Sequence, residues 1–165
     1  FASSMDAGVI IGFLKGRHIG EKARLRDFFR KSIEEIGRYA EAKKVHVLIE
    51  ATNRYESAVA NTLAETAGLI EECGSPFLHV LPDTFHMNIE ESSFEDALMQ
   101  ALPWIISVHL SDNNRYFPGF GAIDFGEICA FLSQIGFSGG LAIEGEVKSD
   151  VVSDLTASVA YLESV

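Results

Sequence analysis

The chain has 165 residues, the length of one ordinary domain rather than of two independent cores. With 47% hydrophobic and 22% charged residues, its composition is globular, which excludes disordered, collagen-like and coiled-coil readings. Thirteen Lys and Arg stand against 24 Asp and Glu, for a net charge of −11; such a chain repels phosphate backbones, so no nucleic-acid partner is expected.

In chain order, the first strand-length apolar run is GVIIGF at 8–13. Even with its flanks it falls far short of the roughly 20 residues that cross a membrane, so no membrane partner is expected. A helical pattern over 19–43 leads to VHVLIE (45–50), and a second over 57–73, closed by Gly74, leads to FLHVL (77–81). A helix is expected over 94–102, with Ser92 and Glu95 in the capping-box spacing, followed by IISVHL (105–110). Asp124 with Glu127 opens a helix over 125–135 that Gly136 closes; GGLAIE (139–144) and a last helix over 151–162 follow. The order is five βα units in one α/β domain, and the near-continuous apolar runs predict parallel strands buried on both faces. Cys73 and Cys129 stand alone inside helical patterns. They form neither a disulfide framework nor a CxxC metal site, and they suit a reducing cytoplasm. Five units fit an open doubly wound sheet, complete at this length, or part of a (β/α)8 barrel of about 250 residues. Periodicity leaves both open.

Active sites of parallel α/β folds lie at the carboxyl ends of the strands. Glu50, Asp83, His109 and Glu144 stand at the ends of four successive strands, each about 30 residues from the next, one βαβ repeat. Taken singly, each is a solvated strand end or a satisfied core residue. Together they place three carboxylates and an imidazole at one level of the sheet, a set that repels itself unless a cation binds. Three hard oxygens and one nitrogen suit Mn²⁺, Mg²⁺ or Co²⁺ better than a thiolate-rich zinc site. Glu56, His86 and Arg115 follow those strand ends by a few residues, where loops carry substrate contacts. Asp112 fits either a hydrogen-bond partner for His109 or a turn-former with Asn113 and Asn114. Gly119 and Gly121 let that loop turn and form no nucleotide-binding pattern.

The strings EATNRYES, LPDTFHMNIEE, VHLSDNNRYFPGFGAIDF and AIEGE resemble the sugar phosphate isomerase/epimerase family with the xylose isomerase-like barrel, most closely the ketose 3-epimerases of the D-tagatose and D-psicose type. The resemblance implies a (β/α)8 TIM barrel, one divalent metal, Mn²⁺ first, held by Glu50, Asp83, His109 and Glu144, and substrate contacts from Glu56, His86 and Arg115. It also implies a small-molecule sugar substrate, epimerised through an enediolate by Glu50 and Glu144 on opposite faces. A homo-oligomer is compatible with it. Where such relatives often carry Ser-Phe after the last metal glutamate, this chain has Gly145 and Glu146, which loosens the substrate inference and makes Glu146 a rival ligand.

Hydroxypyruvate isomerase or inosose dehydratase activity, an endonuclease of the type acting on abasic DNA, and an inactive barrel fragment are the alternatives. The four ligands fall on the second to fifth strands present, matching strands five to eight of the family barrel. The resemblance therefore implies that residues 1–165 are the C-terminal part of a single TIM-barrel domain, N-terminally truncated to about the last five βα units, with an uncovered, self-associating edge at GVIIGF.

Overall fold

The computed structural model describes residues 1–16 and 21–165. Five strands, β1 (Val9–Ile11), β2 (Val47–Glu50), β3 (Leu78–Leu81), β4 (Ser107–Leu110) and β5 (Gly140–Ile143), run parallel in chain order. Ile11 pairs with Ile49, Glu50 with Leu81, and Leu110 with Ile143. β1-β2-β3 and β4-β5 form two ladders joined by parallel bridges at Val80–Ile105 and Asp83–His109. This sequential order decides between the two architectures. A doubly wound sheet reverses strand order at a switch point, whereas here each strand is followed by its spatial neighbour, as in a barrel wall.

The helices are α1 (Lys22–Lys43), α2 (Leu63–Cys73), α3 (Thr84–Glu90), α4 (Phe94–Ala101), α5 (Phe125–Gln134) and α6 (Val151–Leu162). The expected start of α1 at Ile19 lies outside the described residues. Gly74 and Gly136 take left-handed φ values of 66° and 68° and close α2 and α5 as expected; Asp124 accepts the Glu127 amide at 3.1 Å.

Three expectations change. The helix placed over 57–73 begins only at Leu63, because the Thr62 side chain caps it by accepting from Glu65 N. Upstream, the Asn61 amide donates to Thr52 O and Ser57 O, which folds 52–61 into a hydrogen-bonded loop that competes with helix. The cap of α4 is Ser93, which accepts from Asp96 N, one residue past the expected Ser92 and Glu95. Helix α3 occupies a stretch read as loop: the Asp83 carboxylate accepts from Phe85 N and His86 N and opens a helical turn where the pattern showed none.

The core lies between the sheet and α1, α2, α4 and α5. Ile33, Ile49, Leu63, Ile70, Val80, Leu98 and Phe125 are buried there. Burial on both faces holds for β2 and β3 but not for the outer strands. Ile10 and Leu141 are each 50% exposed, since among the described residues β1 pairs only with β2 and β5 only with β4. No helix among the described residues is long and apolar enough to cross a membrane, and both cysteines are unpaired.

After β5 the chain turns into α6 around two aspartates. Asp150 caps the helix, and the buried Asp154 accepts from Ser149 Oγ (2.6 Å), Ser149 N (2.8 Å) and Lys148 N (2.7 Å). Bonds from the Ser149 hydroxyl first, then from the amides, hold the Asp154 carboxyl below its ordinary value. A folded-state pKa depressed in this way adds stability above the unfolded value of about 3.9 and loses it as pH falls through the folded value. Asp154→Asn is therefore expected to lower the melting temperature at pH 7, with the gap to wild type closing in acid below about pH 4. A gap unchanged from pH 7 to pH 2 would contradict this account.

Candidate metal centre

Three strand ends and one helix start converge on a single point. Glu50 is the last residue of β2, His109 lies in β4, Glu144 directly follows β5, and Asp83 is the N-cap of α3. The bridge between Asp83 and His109 sets these two at one level. Glu50, Asp83, His109 and Glu144 each offer one ligand atom, and these atoms all lie within 4.8 Å of one another. Glu50 Oε1 is 3.8 Å from His109 Nδ1, and His109 Nδ1 touches Glu144 Oε2 directly. Glu146, the rival ligand, is exposed and stands outside the cluster; its amide donates to Arg115 O.

The electrostatics are those of a cation site. Glu50 and Asp83 are 7% and 0% exposed. Burial, reinforced by the Asp83 and Glu144 carboxylates, pushes the Glu50 carboxyl up to about 7. Burial works against charge on His109 as well, yet its hydrogen bond to Glu144 and the surrounding carboxylates raise its pKa on balance. The same bond lowers that of Glu144. Glu50 Oε1 is buried with no hydrogen-bond partner, a costly condition for a carboxylate oxygen. A hard divalent ion accepts this donor set of three carboxylates and one imidazole, so the residues fit such an ion. Gly12 gives the Glu50 carboxylate its room: a Cβ there would stand 2.6 Å from Glu50 Oε2.

The second group of candidates is brought to the same place. Arg115 donates to Asp83 Oδ2 (2.7 Å) and Glu144 Oε1 (3.0 Å), and its guanidinium lies 5.0 Å from the Phe85 ring centroid. His86 is buried, with Nε2 3.9 Å from Glu50 Oε1 and Nδ1 3.9 Å from Glu56 Oε1. Burial lowers its pKa to about 4, so the ring is neutral at physiological pH. Asn53 Nδ2 bridges His86 Nδ1 (2.8 Å) and Glu56 Oε1 (3.0 Å). Glu56 is the outermost of the three, with 43% of its side chain exposed.

Of its two expected roles, Asp112 takes the turn-forming one. Its carboxylate accepts from the amides of Asn113 (2.9 Å), Gly119 (3.1 Å), Gly121 (2.7 Å) and Ile123 (3.1 Å), which fixes the whole 112–123 loop. Gly119 has φ 90° and lies against Tyr161, a conformation and a closeness that together require glycine. Arg115 itself is held left-handed at φ 66°, so this loop presents the guanidinium.

Two residues escaped the sequence reading. Asn53 has no local signature, because its partner His86 comes from the next βα unit. Lys15, 3% exposed, donates to Glu50 O and to Ala60 O (2.8 Å). Burial brings its pKa down to about 7, against the pull of Glu50, Glu56 and Glu65. The signal for Lys15 was a single cation breaking the apolar GFLKG.

The arc of parallel strands with a carboxylate–histidine centre at their carboxyl ends defines the class of protein. A family model described as "Xylose isomerase-like TIM barrel" matches residues 1–165, and the chain belongs to that family. It is 37% identical over 119 residues to a D-psicose 3-epimerase of Agrobacterium fabrum, covering 72% of this chain and 41% of that protein. It is 36% identical over 151 residues to an L-ribulose 3-epimerase of Mesorhizobium japonicum, covering 88% and 50%. The crystal structure of the apo form of 3-keto-D-glucoside 4-epimerase from E. coli superposes with a TM-score of 0.92 over 99% of this chain and 66% of that one, at 24% identity, a likeness of fold. The chain thus spans about half the length, or less, of the curated relatives it matches.

Removing the Asp112 carboxylate leaves three remote loop amides without an acceptor. Asp112→Ala is expected to cost about 1–3 kcal/mol and to speed hydrogen exchange at Gly119, Gly121 and Ile123 well beyond that of the β3 amides. Equal acceleration at both places would argue against a loop-specific role.

Proposed function

We propose that this chain carries the metal centre of a divalent-metal-dependent carbohydrate epimerase, which inverts a carbon next to a ketone, with a ketose as the first substrate class to test. The observation that carries this reading is the convergence of one ligand atom each from Glu50, Asp83, His109 and Glu144 within 4.8 Å, beside a buried Glu50 oxygen that has no hydrogen-bond partner. The names of the relatives support it. The two curated relatives are 3-epimerases of ketoses; in each the inverted carbon is adjacent to the carbonyl, which acidifies its C–H bond.

Glu50, Asp83, His109 and Glu144 would hold the ion, with Mn²⁺ as the first choice. Bound there, a divalent ion supplies Lewis acidity to the substrate oxygens and offsets the negative charge that develops on them. The chain's own residues do the proton chemistry. Glu50 takes the proton from the carbon beside the carbonyl, leaving an enediolate, and Glu144, protonated from solvent, delivers a proton to the opposite face; exchange with solvent then returns both carboxyls to their starting states. One C–H bond breaks, another forms, and only the configuration changes. Two carboxylates serve better than one, because a single base that returns its own proton to the same face regenerates the starting sugar. The neutral His86 and the Arg115 guanidinium orient hydroxyl and carbonyl oxygens, and Glu56 completes that set through Asn53. A net charge of −11 disfavours an anionic polymer as substrate.

Saturating Mn²⁺, at about 100 times its dissociation constant, is expected to stabilise the protein by about 2.7 kcal/mol, read as a rise in melting temperature that a chelator reverses. In D₂O, wild type is expected to place deuterium at the carbon beside the ketone, and Glu50→Gln to lose about 10²- to 10⁴-fold in that exchange while keeping its circular dichroism spectrum. Exchange by Glu50→Gln at the wild-type rate would remove Glu50 from the mechanism. Metal binding without any exchange would favour an inactive fragment.

A further inference from the structure

The metal centre leaves one buried charge without a part. Lys15 lies between β1 and α1 at 3% exposure, and lysine is almost never buried so fully without a paired charge. Its two hydrogen bonds go to main-chain carbonyls that belong to different elements: Glu50 O, at the end of β2, and Ala60 O, in the loop leading to α2.

Ala60 holds a left-handed φ of 55°, which a side chain bearing a Cβ adopts only when its surroundings enforce it. Its carbonyl accepts from Lys15 Nζ and, at 3.4 Å, from Thr66 Oγ1. At the other end of the tie, Glu50 Oε1 has no hydrogen bond of its own. No local donor fixes that oxygen, so its place depends on the main chain that carries it. Besides the ladder with β1 and β3, two donors hold that main chain at Glu50 O: the Thr52 amide (3.0 Å), two residues away on the same segment, and the Lys15 ammonium, which alone of the two ties it to another loop.

We propose that Lys15 is a positioning residue for the Glu50 ligand: by tying the main chain at Glu50 to the kink at Ala60, it sets where the Glu50 carboxylate stands and so how tightly the centre holds its ion. The same tie registers the 52–61 loop, which carries Asn53 and Glu56, against the strand end. The proposal rests on the metal-centre reading above.

The test compares the full chain as wild type, Lys15→Met, Lys15→Arg and Thr66→Val, by Mn²⁺ affinity, read from free Mn²⁺ in electron paramagnetic resonance, and by thermal melting. Lys15→Met is expected to weaken Mn²⁺ binding at least tenfold, and Lys15→Arg, which keeps donors in a displaced geometry, to weaken it less. Thr66→Val removes the other donor to Ala60 O without touching Glu50 O; it is expected to lower the melting temperature and keep wild-type affinity. Wild-type affinity in Lys15→Met overturns the proposal, as does an equal affinity loss in Thr66→Val, which would mean general loosening. If Lys15→Met does not fold, Lys15→Arg decides: weaker Mn²⁺ binding with a cooperative melt supports positioning, and unchanged binding overturns it. Wild type that binds no Mn²⁺ sinks the metal-centre reading itself, a failure visible before any variant is compared.

Discussion

Three carboxylates with ligand atoms within 4.8 Å of one another and of the His109 imidazole repel one another, and the groups around them are arranged to offset that repulsion. Part of it is offset inside the protein. The Arg115 guanidinium bridges Asp83 and Glu144, His109 bonds Glu144, and the Asp83 carboxylate accepts amides at the start of α3, where the helix dipole favours negative charge. Glu50 accepts no hydrogen bond from these groups: burial first, then the Asp83 and Glu144 carboxylates, push its carboxyl up against the pull of His109 and Arg115, and its Oε1 has no hydrogen-bond partner. A divalent ion, if bound there, would complete the compensation.

The parallel arc makes such crowding available. Strand ends in a sequential βα wall arrive at one level because each strand pairs in register with the next, Glu50 opposite Leu81 and Asp83 opposite His109. Loops after the strands then bring in the remaining groups. The loop around Asp112 shows how firmly this is done, with one carboxylate serving four amides so that Arg115 can be held in a left-handed conformation facing the centre. The 52–61 loop is organised similarly around Asn61, and by Lys15 at its far end.

Much of this was legible in the residues alone. The alternation of apolar runs with amphipathic stretches located the five described strands to within a few residues, and repeat spacing singled out the four residues that converge, since each βα unit returns the strand end to the same level. Helix boundaries were less legible at 57–62 and 84–90, where side chains of Asn61 and Asp83 redirect the main chain by bonds that periodicity does not register. The exposure of Ile10 and Leu141 contradicts what their apolar runs suggest, because burial depends on which neighbours a strand has and not on its own composition.

The amino-acid order by itself determined the α/β class, the strand succession and the identity of the four convergent donors, because these depend on local periodicity and on spacing along one chain. The tertiary structure showed the sequential strand order of a barrel wall, which the motif resemblance implied and periodicity left open, and only it decided that Asp112 serves its loop and not His109, that Glu144 and not Glu146 lies in the four-residue cluster, and that Lys15 and Asn53 are buried and bonded beside it. Each of these depends on contacts across loops or between βα units and on the burial that follows from them, and such contacts leave no trace in the spacing of neighbouring residues.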